Sequence, residues 1–332
     1  MGKQFSISVV GSGSWATAIV KILGNNCDKV TWWIRNQKTV QYIKKYGNNP
    51  NYLSDIRFDP KKINPVSEIE LAINSSDIII LAVPSAFLTS VLNKLTPKHF
   101  KGKIIFSAIK GIVPEKNLIV GDFLNKIYKI PVESIGVITG PCHAEEVALE
   151  KLSYLTIACT NTATAEKLAE MMRCRYMKVM VSDDIYGTEY AAVIKNILAI
   201  CSGIGHGLGY GDNFQAVLIS NGIAEIKRFV DRVHPITREI TDSAYLGDLL
   251  VTAYSQFSRN RTFGNMVGKG YGVKAAQLEM NMIAEGYYAS KCVKQINRKH
   301  KVQMPICDTV YRILYEKAVP KAEMKKLSEK LN

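Results

Sequence analysis

Two arginines stand two residues apart in the stretch "SRNRTFG", residues 258–264, which follows a mostly apolar run. The planar guanidinium of arginine matches a phosphate or a carboxylate, because each can accept two parallel hydrogen bonds from it. Ser258 and Asn260 add hydrogen-bonding groups on either side of the first arginine. The stretch is a candidate anion site, although a bare Arg-x-Arg pair is more often a solvated surface cluster.

Lys195 and Asn196 are the only polar side chains in the apolar run "AAVIKNILAI". A lysine beside an apolar stripe commonly extends its ammonium group to solvent. If Lys195 is instead buried at a cleft, desolvation lowers its pKa and makes it a usable proton donor or acceptor. Asp248, in "LGDLLVTAY", is an equally isolated carboxylate. Because buried charges are costly unless paired, we expect Lys195 and Asp248 to be partners.

Helical periodicity connects Asp248 to the arginine stretch. If residues 248–260 form one helix, four polar side chains recur at spacings of four, three and four and share one face. These residues are Asp248, Thr252, Ser255 and Arg259. The predicted face carries an acid, a hydroxyl and a guanidinium, which would suit a small phosphorylated substrate.

A glycine-rich turn follows the first apolar run, in "VVGSGSWATAIVKIL". Gly11, Gly13 and Ala16 occupy the three small positions of the dinucleotide-binding fingerprint. The first permits a tight turn, the second lets the backbone approach a pyrophosphate, and the third packs closely against a strand. The pyrophosphate would lie at the start of the next helix, where free N–H groups favour an anion. A tight turn alone also uses glycine, but the position between a strand and a helix favours cofactor binding.

The second apolar run ends in "WWIRN", where an acidic residue would hold the ribose 2′-hydroxyl of NAD. Arg35 and Asn36 stand there instead. Arg35 is suited to a 2′-phosphate, so the sequence predicts that NADP is tolerated. The simpler interpretation is that Arg35 covers the adenine or faces solvent.

Apolar, β-rich runs alternate with helical patterns in the first half of the chain. Several runs are apolar throughout, which is typical of strands that are covered on both faces. Repeated strand–helix–strand units predict a parallel, doubly wound sheet with right-handed crossovers. The predicted strands span residues 5–11, 29–35, 77–84, 103–111, 134–140, 152–159 and 177–183.

After about residue 185 the pattern changes to long segments with apolar residues at helical spacing, and we predict no further strand. The predicted fold class is α/β, with an N-terminal Rossmann-like doubly wound sheet and an all-helical C-terminal domain. We place the dinucleotide-binding domain at residues 1–186 and the helical substrate-binding and catalytic domain at residues 187–332.

Composition narrows the class of protein further. The 332 residues are 47% hydrophobic, enough for a substantial core, and no apolar run is long enough to cross a membrane. The seven cysteines are widely spaced without a C-x-x-C motif, so we expect neither disulfides nor a metal site, and a cytoplasmic location. The net charge of +14 has three interpretations: nucleic-acid binding, attraction of small anions, or a lysine-rich surface. Because the lysines are dispersed, we predict no nucleic-acid partner. We also predict no stable membrane anchor, because no second anchoring signal is evident.

Seven segments together resemble the soluble, bacterial type of NAD(P)-dependent sn-glycerol-3-phosphate dehydrogenase. Their order and spacing extend over nearly the whole chain. The segments are "GSGSWATAI", "AVPSAFL", "SAIKGI", "TGPCHAEEV", "IKNILAICSGIGHGLGYGDNFQAVLISNGIAEI", "GDLLVTAYSQFSRNRTFG" and "AEGYYAS". The resemblance implies reversible reduction of dihydroxyacetone phosphate to sn-glycerol 3-phosphate by NAD(H) or NADP(H), which supplies glycerophospholipid synthesis. It also implies a homodimer.

The resemblance also implies roles for single residues. Lys195 matches the catalytic proton acceptor, and Lys110 and Asp248 match further catalytic residues. The implied substrate contacts are Lys110, Gly140, Cys142, Lys195, Asp248, Ser258, Arg259 and Asn260. The implied cofactor contacts are Gly11, Gly13, Ser14, Trp15, Arg35, Lys110, Ala144, Arg259, Ile283 and Glu285. Cys142 departs from the usual pattern, because Ser, Thr or Asn is common there and a thiol is a weaker hydrogen-bonding group.

Three alternatives stay open at this point. A related two-domain reductase would use the same arginine for the carboxylate of a 2-keto substrate. A nucleotide-binding sensor would keep the fold without the chemistry, but Lys195 and Asp248 are both present. A nucleic-acid-binding role depends on charge alone and would require tight, strongly salt-dependent binding.

Overall fold

The computed structural model describes residues 5–280 and 284–332. The chain forms two compact units. The first contains the residues up to Ile109 together with Val120–Ile185, and the second contains Lys110–Ile119 and Tyr186–Asn332. The division into functional domains at residues 1–186 and 187–332 stays a prediction.

The described residues form ten strands. All but two lie in the first unit, and the two short ones, β6 and β7, pair as a hairpin in the second. In chain order they are β1 Ile7–Val10, β2 Val30–Trp33, β3 Ile63–Val66, β4 Ile78–Leu81, β5 Ile104–Ser107, β6 Ile112–Val113, β7 Leu118–Ile119, β8 Ile135–Thr139, β9 Ser153–Cys159 and β10 Met177–Ser182.

The eight strands of the first unit form one sheet in the order β10-β9-β8-β5-β4-β1-β2-β3. Every residue of β1, β2 and β4 is buried, as their continuous apolar patterns predict. The predicted doubly wound sheet is confirmed with one difference, because β8 and β9 are antiparallel while the other neighbours are parallel. Hydrophobic periodicity carries no information on strand direction, so the sequence left this reversal unpredicted.

Strand β3 and the hairpin β6–β7 were absent from the prediction. β3 reads "INPV", and Pro65 lacks the backbone donor that a central strand needs. It is tolerated because β3 is an edge strand that pairs with β2 alone. The hairpin strands have two residues each, which is too short for any periodicity to register.

Helices cover the sheet of the first unit and build most of the second. Those that begin in the first unit, α1–α8, are Ser14–Leu23, Gln37–Tyr46, Ile69–Asn74, Leu88–Leu92, Val120–Tyr128, Ala144–Ala148, Thr162–Met172 and Ile185–Gly207. Those of the second unit, α9–α15, are Asp212–Val233, Asp248–Tyr254, Arg259–Gly268, Val273–Glu279, Glu285–His300, Pro305–Tyr315 and Pro320–Ser328. The described residues after 185 contain no strand, which agrees with the predicted helical second half.

Helices α8 and α11 of the second unit cross with their backbones in direct contact. A Cβ on Gly203 would lie 2.1 Å from the carbonyl oxygen of Arg261, and one on Gly264 would lie 2.1 Å from that of Ile200. Only glycine permits so close an approach at these two positions. One turn earlier on each helix, Asn260 reaches Asn196. The crossing therefore holds the start of α11 beside the middle of α8.

None of the helices in the described ranges is long and apolar enough to span a membrane. Each unit has its own buried apolar core.

Candidate active site

Lys195 lies in the middle of α8 and is 3% exposed. Its Nζ donates hydrogen bonds to Asp248 Oδ1 at 2.5 Å and to Thr252 Oγ1 at 2.8 Å. Thr252 in turn donates its hydroxyl proton to the carbonyl oxygen of Asp248 at 2.6 Å, one turn back in α10. The predicted pairing of Lys195 with Asp248 is confirmed, and the alternative of an ammonium extended to solvent is wrong.

A second ammonium group completes the charge cluster. Lys110, in the segment that precedes β6, places Nζ 3.2 Å from both carboxylate oxygens of Asp248. Its side chain is 19% exposed, against 1% for that of Asp248. One buried carboxylate thus faces two ammonium groups, so the cluster carries a net positive charge when both lysines are protonated.

Burial and the neighbouring charges set the pKa values of this cluster. Removal from water disfavours the ammonium form and lowers the pKa of Lys195 to about 7, and the charge of Lys110 acts in the same direction against the attraction of Asp248. Burial would raise the pKa of Asp248, but the two lysines outweigh it and hold that pKa below its usual value. The arrangement therefore combines a stable carboxylate with a lysine that exchanges its proton near neutral pH.

A chain of amide hydrogen bonds joins the segments around the cluster. Asn196 Nδ2 donates to the carbonyl oxygen of Lys110 at 2.7 Å, and Asn260 Nδ2 donates to Asn196 Oδ1 at 2.9 Å. The backbone N–H of Gly286 donates to Asn260 Oδ1, also at 2.9 Å. The side chain of Asn260, a predicted substrate contact, thereby ties α8, α11 and α13 together.

The predicted continuous helix over residues 248–260 is wrong. Helix α10 ends at Tyr254, Ser255 has extended backbone angles, and α11 begins at Arg259. Ser258 is the N-cap of α11, and its Oγ accepts a hydrogen bond from the Arg261 N–H at 3.3 Å. Serine favours such a cap over a helix interior because its hydroxyl satisfies an end N–H group.

The break changes which residues share a helical face. Asp248 and Thr252 keep the predicted spacing within α10, but Ser255 and Arg259 no longer extend their face. Arg259 is exposed at the first residue of α11, and Ser258 before it is buried.

In the first unit, the glycine-rich turn joins β1 to α1. Gly11 has φ +142°, and a Cβ there would lie 2.3 Å from the carbonyl oxygen of Ala82, so only glycine fits. A Cβ on Gly13 would have nothing within 4 Å, and no side chain caps the start of α1. The open space beside an uncapped helix N-terminus fits the pyrophosphate of a dinucleotide.

Other predicted cofactor contacts lie in both units. Ser14 and Trp15 begin α1, and the buried Nε1 of Trp15 has no hydrogen-bond partner among the described residues. Arg35 is exposed after β2, and Ala144 is buried at the start of α6. Glu285 begins α13 in the second unit. Ile283 lies outside the described residues.

The remaining predicted substrate contacts follow β8 in the first unit. Gly140 has φ +113°, and Cys142 is 9% exposed. None of the seven cysteines, all of which lie in the described ranges, forms a disulfide bond. Within residues 5–280 and 284–332, no group of three or more His, Cys, Asp or Glu side chains is placed to hold a metal ion.

Both halves of the chain match models of one known protein family. Residues 6–165 match the family model described as NAD-dependent glycerol-3-phosphate dehydrogenase N-terminus, and residues 184–325 match its C-terminus counterpart. The chain belongs to the NAD-dependent glycerol-3-phosphate dehydrogenase family.

Two relatives and one crystal structure from the glycerol-3-phosphate dehydrogenase family align with this chain over nearly its full length. The chain is 36% identical to glycerol-3-phosphate dehydrogenase [NAD(P)+] 2 of Salinibacter ruber, with 95% of this chain and 92% of that protein covered. It is 34% identical to glycerol-3-phosphate dehydrogenase [NAD(P)+] of an Exiguobacterium species, with 97% of this chain and 94% of that protein covered. The crystal structure of glycerol-3-phosphate dehydrogenase from Coxiella burnetii superposes with a TM-score of 0.91 at 30% identity, covering 98% of this chain and 99% of that one.

Sequence reasoning missed several side chains that support the glycine-rich turn. Trp32, Asn49 and Thr17 donate hydrogen bonds to carbonyl oxygens of the glycine-rich turn. Trp32 and Thr17 lie in runs that are explained by core packing, and Asn49 lies in the turn-like stretch "GNNPN", where asparagine is common. No local signal separated these residues from ordinary core and turn positions.

Proposed function

We propose that this protein reduces dihydroxyacetone phosphate to sn-glycerol 3-phosphate with NAD(P)H, and catalyses the reverse reaction with NAD(P)⁺. The observation that carries the proposal is the buried Lys195, hydrogen-bonded to Asp248 and with a pKa lowered to about 7. Reduction of a ketone needs a proton donor at the carbonyl oxygen, and oxidation of the alcohol needs an acceptor at the same place. A lysine that titrates near neutral pH serves both directions.

The proposed chemistry assigns distinct tasks to the cluster. The nicotinamide cofactor, when bound, supplies the hydride that reaches the ketone carbon. Lys195 gives its proton to the carbonyl oxygen as negative charge develops there, and Lys110 stabilises that charge electrostatically. Asp248 holds the Lys195 ammonium in place and remains a carboxylate throughout. The product leaves with a neutral hydroxyl group in place of the ketone, and Lys195 recovers its proton from solvent.

The proposed phosphate contact is Arg259, with Ser258 and Asn260 beside it. Arg259 is exposed at the N-terminal end of α11, where the helix dipole also favours an anion. Asn260 is anchored on both amide atoms, so its contribution is to fix the start of α11. The roles of Gly140 and Cys142 in substrate contact stay predictions.

The proposed cofactor contacts in the first unit centre on Gly11, Gly13 and Ser14. Trp15 and Ala144 are further proposed contacts. Arg35, exposed where NAD-specific proteins carry an acid, supports the use of NADPH as well as NADH. Lys110, Arg259 and Glu285 are the proposed cofactor contacts in the second unit, and Ile283 stays a prediction.

The resemblance supports three further parts of the proposal. The product would supply glycerophospholipid synthesis, the enzyme would act in the cytoplasm, and it would form a homodimer. We propose no nucleic-acid partner, because the basic residues form no tract with interleaved aromatic residues.

The deciding experiment measures oxidation of NADH, and separately of NADPH, by purified protein supplied with dihydroxyacetone phosphate. We expect turnover with both cofactors, and the ratio of kcat/KM values reports whether Arg35 recognises a 2′-phosphate. A matched assay with small 2-keto acids tests the alternative of a carboxylated substrate. Activity on a keto acid without activity on dihydroxyacetone phosphate would overturn the proposal.

A further inference from the structure

Three successive carbonyl groups of the glycine-rich turn are held from the protein side. The Gly11 oxygen accepts a hydrogen bond from Trp32 Nε1 at 2.6 Å, and the Ser12 oxygen accepts one from Asn49 Nδ2 at 3.1 Å. The Gly13 oxygen accepts from Thr17 Oγ1 at 2.9 Å and from the Thr17 N–H at 3.0 Å. Trp32 and Asn49, both distant in sequence, thus fix the first two peptide planes of the turn, and the nearby Thr17 fixes the third.

The held carbonyls determine where the N–H groups of the turn point. The peptide bonds of the described residues are trans, so each C=O and the N–H that follows it point in opposite directions. With their carbonyls turned inward, the peptides direct the N–H groups of Ser12, Gly13 and Ser14 outward. Within the described part of the chain, these three N–H groups donate to no other residue. A Cβ on Gly13 would have nothing within 4 Å, so the backbone of the turn is open to a ligand at that residue.

Asn49 is the central brace of this arrangement. It is fully buried, and its Nδ2 donates both to Ser12 O and, at 2.9 Å, to Thr17 Oγ1, which holds the next carbonyl. Its Oδ1 accepts the Asn51 N–H at 3.0 Å, which fixes the orientation of the amide. One side chain therefore controls two adjacent peptide planes, directly for Ser12 and through Thr17 for Gly13.

We propose that Asn49 is a positioning residue for the cofactor, because it holds the peptide planes of the glycine-rich turn with their N–H groups toward the pyrophosphate. This inference rests on the proposed function. A single flipped plane would replace an N–H donor by a carbonyl oxygen, which repels a phosphate. Donors fixed before binding need no reorganisation when the anion arrives, and this strengthens binding.

The competing interpretation is that Asn49 only stabilises its own turn. The neighbouring Asn48 provides a matched control, because it is also buried but acts within that segment alone. Asn48 Nδ2 donates to the Ser54 carbonyl oxygen at 3.0 Å, and its Oδ1 accepts from Arg57 Nη1 at 2.9 Å. Replacing either asparagine removes a buried amide from the same stretch, but only Asn49 contacts the glycine-rich turn.

The experiment measures the Kd of NADH and NADPH by fluorescence titration of the full-length wild-type protein and of Asn49→Ala, Asn49→Asp and Asn48→Ala. Steady-state KM and kcat are measured with dihydroxyacetone phosphate, and the thermal unfolding midpoint is recorded for each protein. Asn49→Asp keeps the oxygen that accepts from Asn51 but loses both donated hydrogen bonds. It therefore separates a role in the local turn from a role in bracing the carbonyls.

We expect both Asn49 variants to raise the Kd and the KM of the cofactor by roughly 10- to 100-fold, because the Ser12 carbonyl loses its partner and its plane can rotate. The KM of dihydroxyacetone phosphate and kcat at saturating cofactor should stay within about 3-fold, as should all parameters of Asn48→Ala. Cofactor binding by Asn49→Asp within about 3-fold of wild type would overturn the inference, as would an equal loss in Asn48→Ala. Wild-type protein that binds neither cofactor would overturn the proposed function instead.

Discussion

Burial gives Lys195 a chemistry that an exposed lysine lacks. An ammonium group in water keeps its proton to above about pH 10. In the middle of α8, loss of hydration lowers the pKa of Lys195 to about 7, with the charge of Lys110 acting in the same direction and Asp248 against it. The negative charge of Asp248 offsets part of the desolvation cost, so the buried lysine can still hold a proton.

The titration of this one residue predicts opposite pH dependences for the two directions of the reaction. The kcat/KM for reduction of dihydroxyacetone phosphate should fall as the pH rises through about 7, because reduction requires protonated Lys195. The kcat/KM for oxidation of sn-glycerol 3-phosphate should rise over the same interval, because oxidation requires the neutral amine. Both are measured with substrate well below its KM between about pH 5.5 and about pH 9, since kcat/KM reports the pKa values of the free enzyme.

The Lys195→Ala variant tests whether this lysine is the titrating group. Its kcat should drop by about 10²- to 10⁴-fold in both directions while NADH still binds, and the residual rate should lack the inflection. Lys227→Ala is the control, because Lys227 is an exposed lysine of α9 that pairs with Asp231. Full activity in Lys195→Ala, or a wild-type kcat/KM that does not change with pH, would contradict the assignment.

Among the elements, the crossing of α8 and α11 brings the helix that carries the proposed phosphate contact against the helix that carries the proposed proton donor. Glycine on each helix allows backbone contact, and the Asn196–Asn260 hydrogen bond secures the crossing one turn away. Side chains of ordinary size would separate two such helices to the usual distance of about 8–10 Å between axes. The close approach keeps Arg259, at the start of α11, at a fixed distance from the middle of α8.

We predict that Gly264→Ala both destabilises the protein and weakens substrate binding. The new methyl group would lie 2.1 Å from the carbonyl oxygen of Ile200, so α11 must move away from α8. The free energy of unfolding should fall by about 1–3 kcal/mol, as for other overpacked sites, and the KM of dihydroxyacetone phosphate should rise. Urea unfolding and steady-state kinetics measure the two effects.

Gly272→Ala is the matched control for that variant. Gly272 precedes α12 with φ −61°, and a Cβ there would have nothing within 4 Å. Its stability and its KM should stay close to those of the wild type. Equal losses in the two variants, or none in Gly264→Ala, would show that the crossing does not position the site.

Over the whole molecule, an excess of positive charge surrounds a reaction whose substrates are anions. The chain has 43 lysines and arginines against 29 aspartates and glutamates. Such a field raises the rate at which anions reach the protein, and dissolved salt screens it over about 10 Å at 0.1 M ionic strength. We therefore expect the dispersed lysines to assist the capture of small phosphorylated ligands.

We predict that kcat/KM for dihydroxyacetone phosphate falls about 2- to 10-fold between low ionic strength and about 0.3 M KCl. The kcat at saturating substrate should change less, because the bound substrate no longer depends on long-range attraction. Sucrose at matched osmolality is the control, since it alters water activity without screening charge. A kcat/KM that is insensitive to salt would show that the excess positive charge does not attract the substrate.

The sequence by itself determined the parts of this protein that depend on local pattern. Continuous apolar runs identified seven strands of the main sheet, and helical spacing identified the second half, because burial on both faces or on one face leaves a direct periodic signature. The glycine-rich turn was recognisable for the same reason, since the positive φ of Gly11 is a requirement of the local backbone. The isolated charges of Lys195 and Asp248 indicated a pair, because an apolar run makes an unpaired charge costly.

Only the tertiary structure decided which distant groups meet. Lys110 and Asp248 are 138 residues apart, and Asn196 and Asn260 are 64 apart, so no spacing rule relates them. The end of α10 at Tyr254 and the capping by Ser258 were likewise undecided, because a serine in a helical pattern fits an interior position or a cap according to its surroundings. Asn49 illustrates the general reason. Its hydrogen bonds to Ser12 and Thr17 exist only after folding has brought its turn against the start of α1.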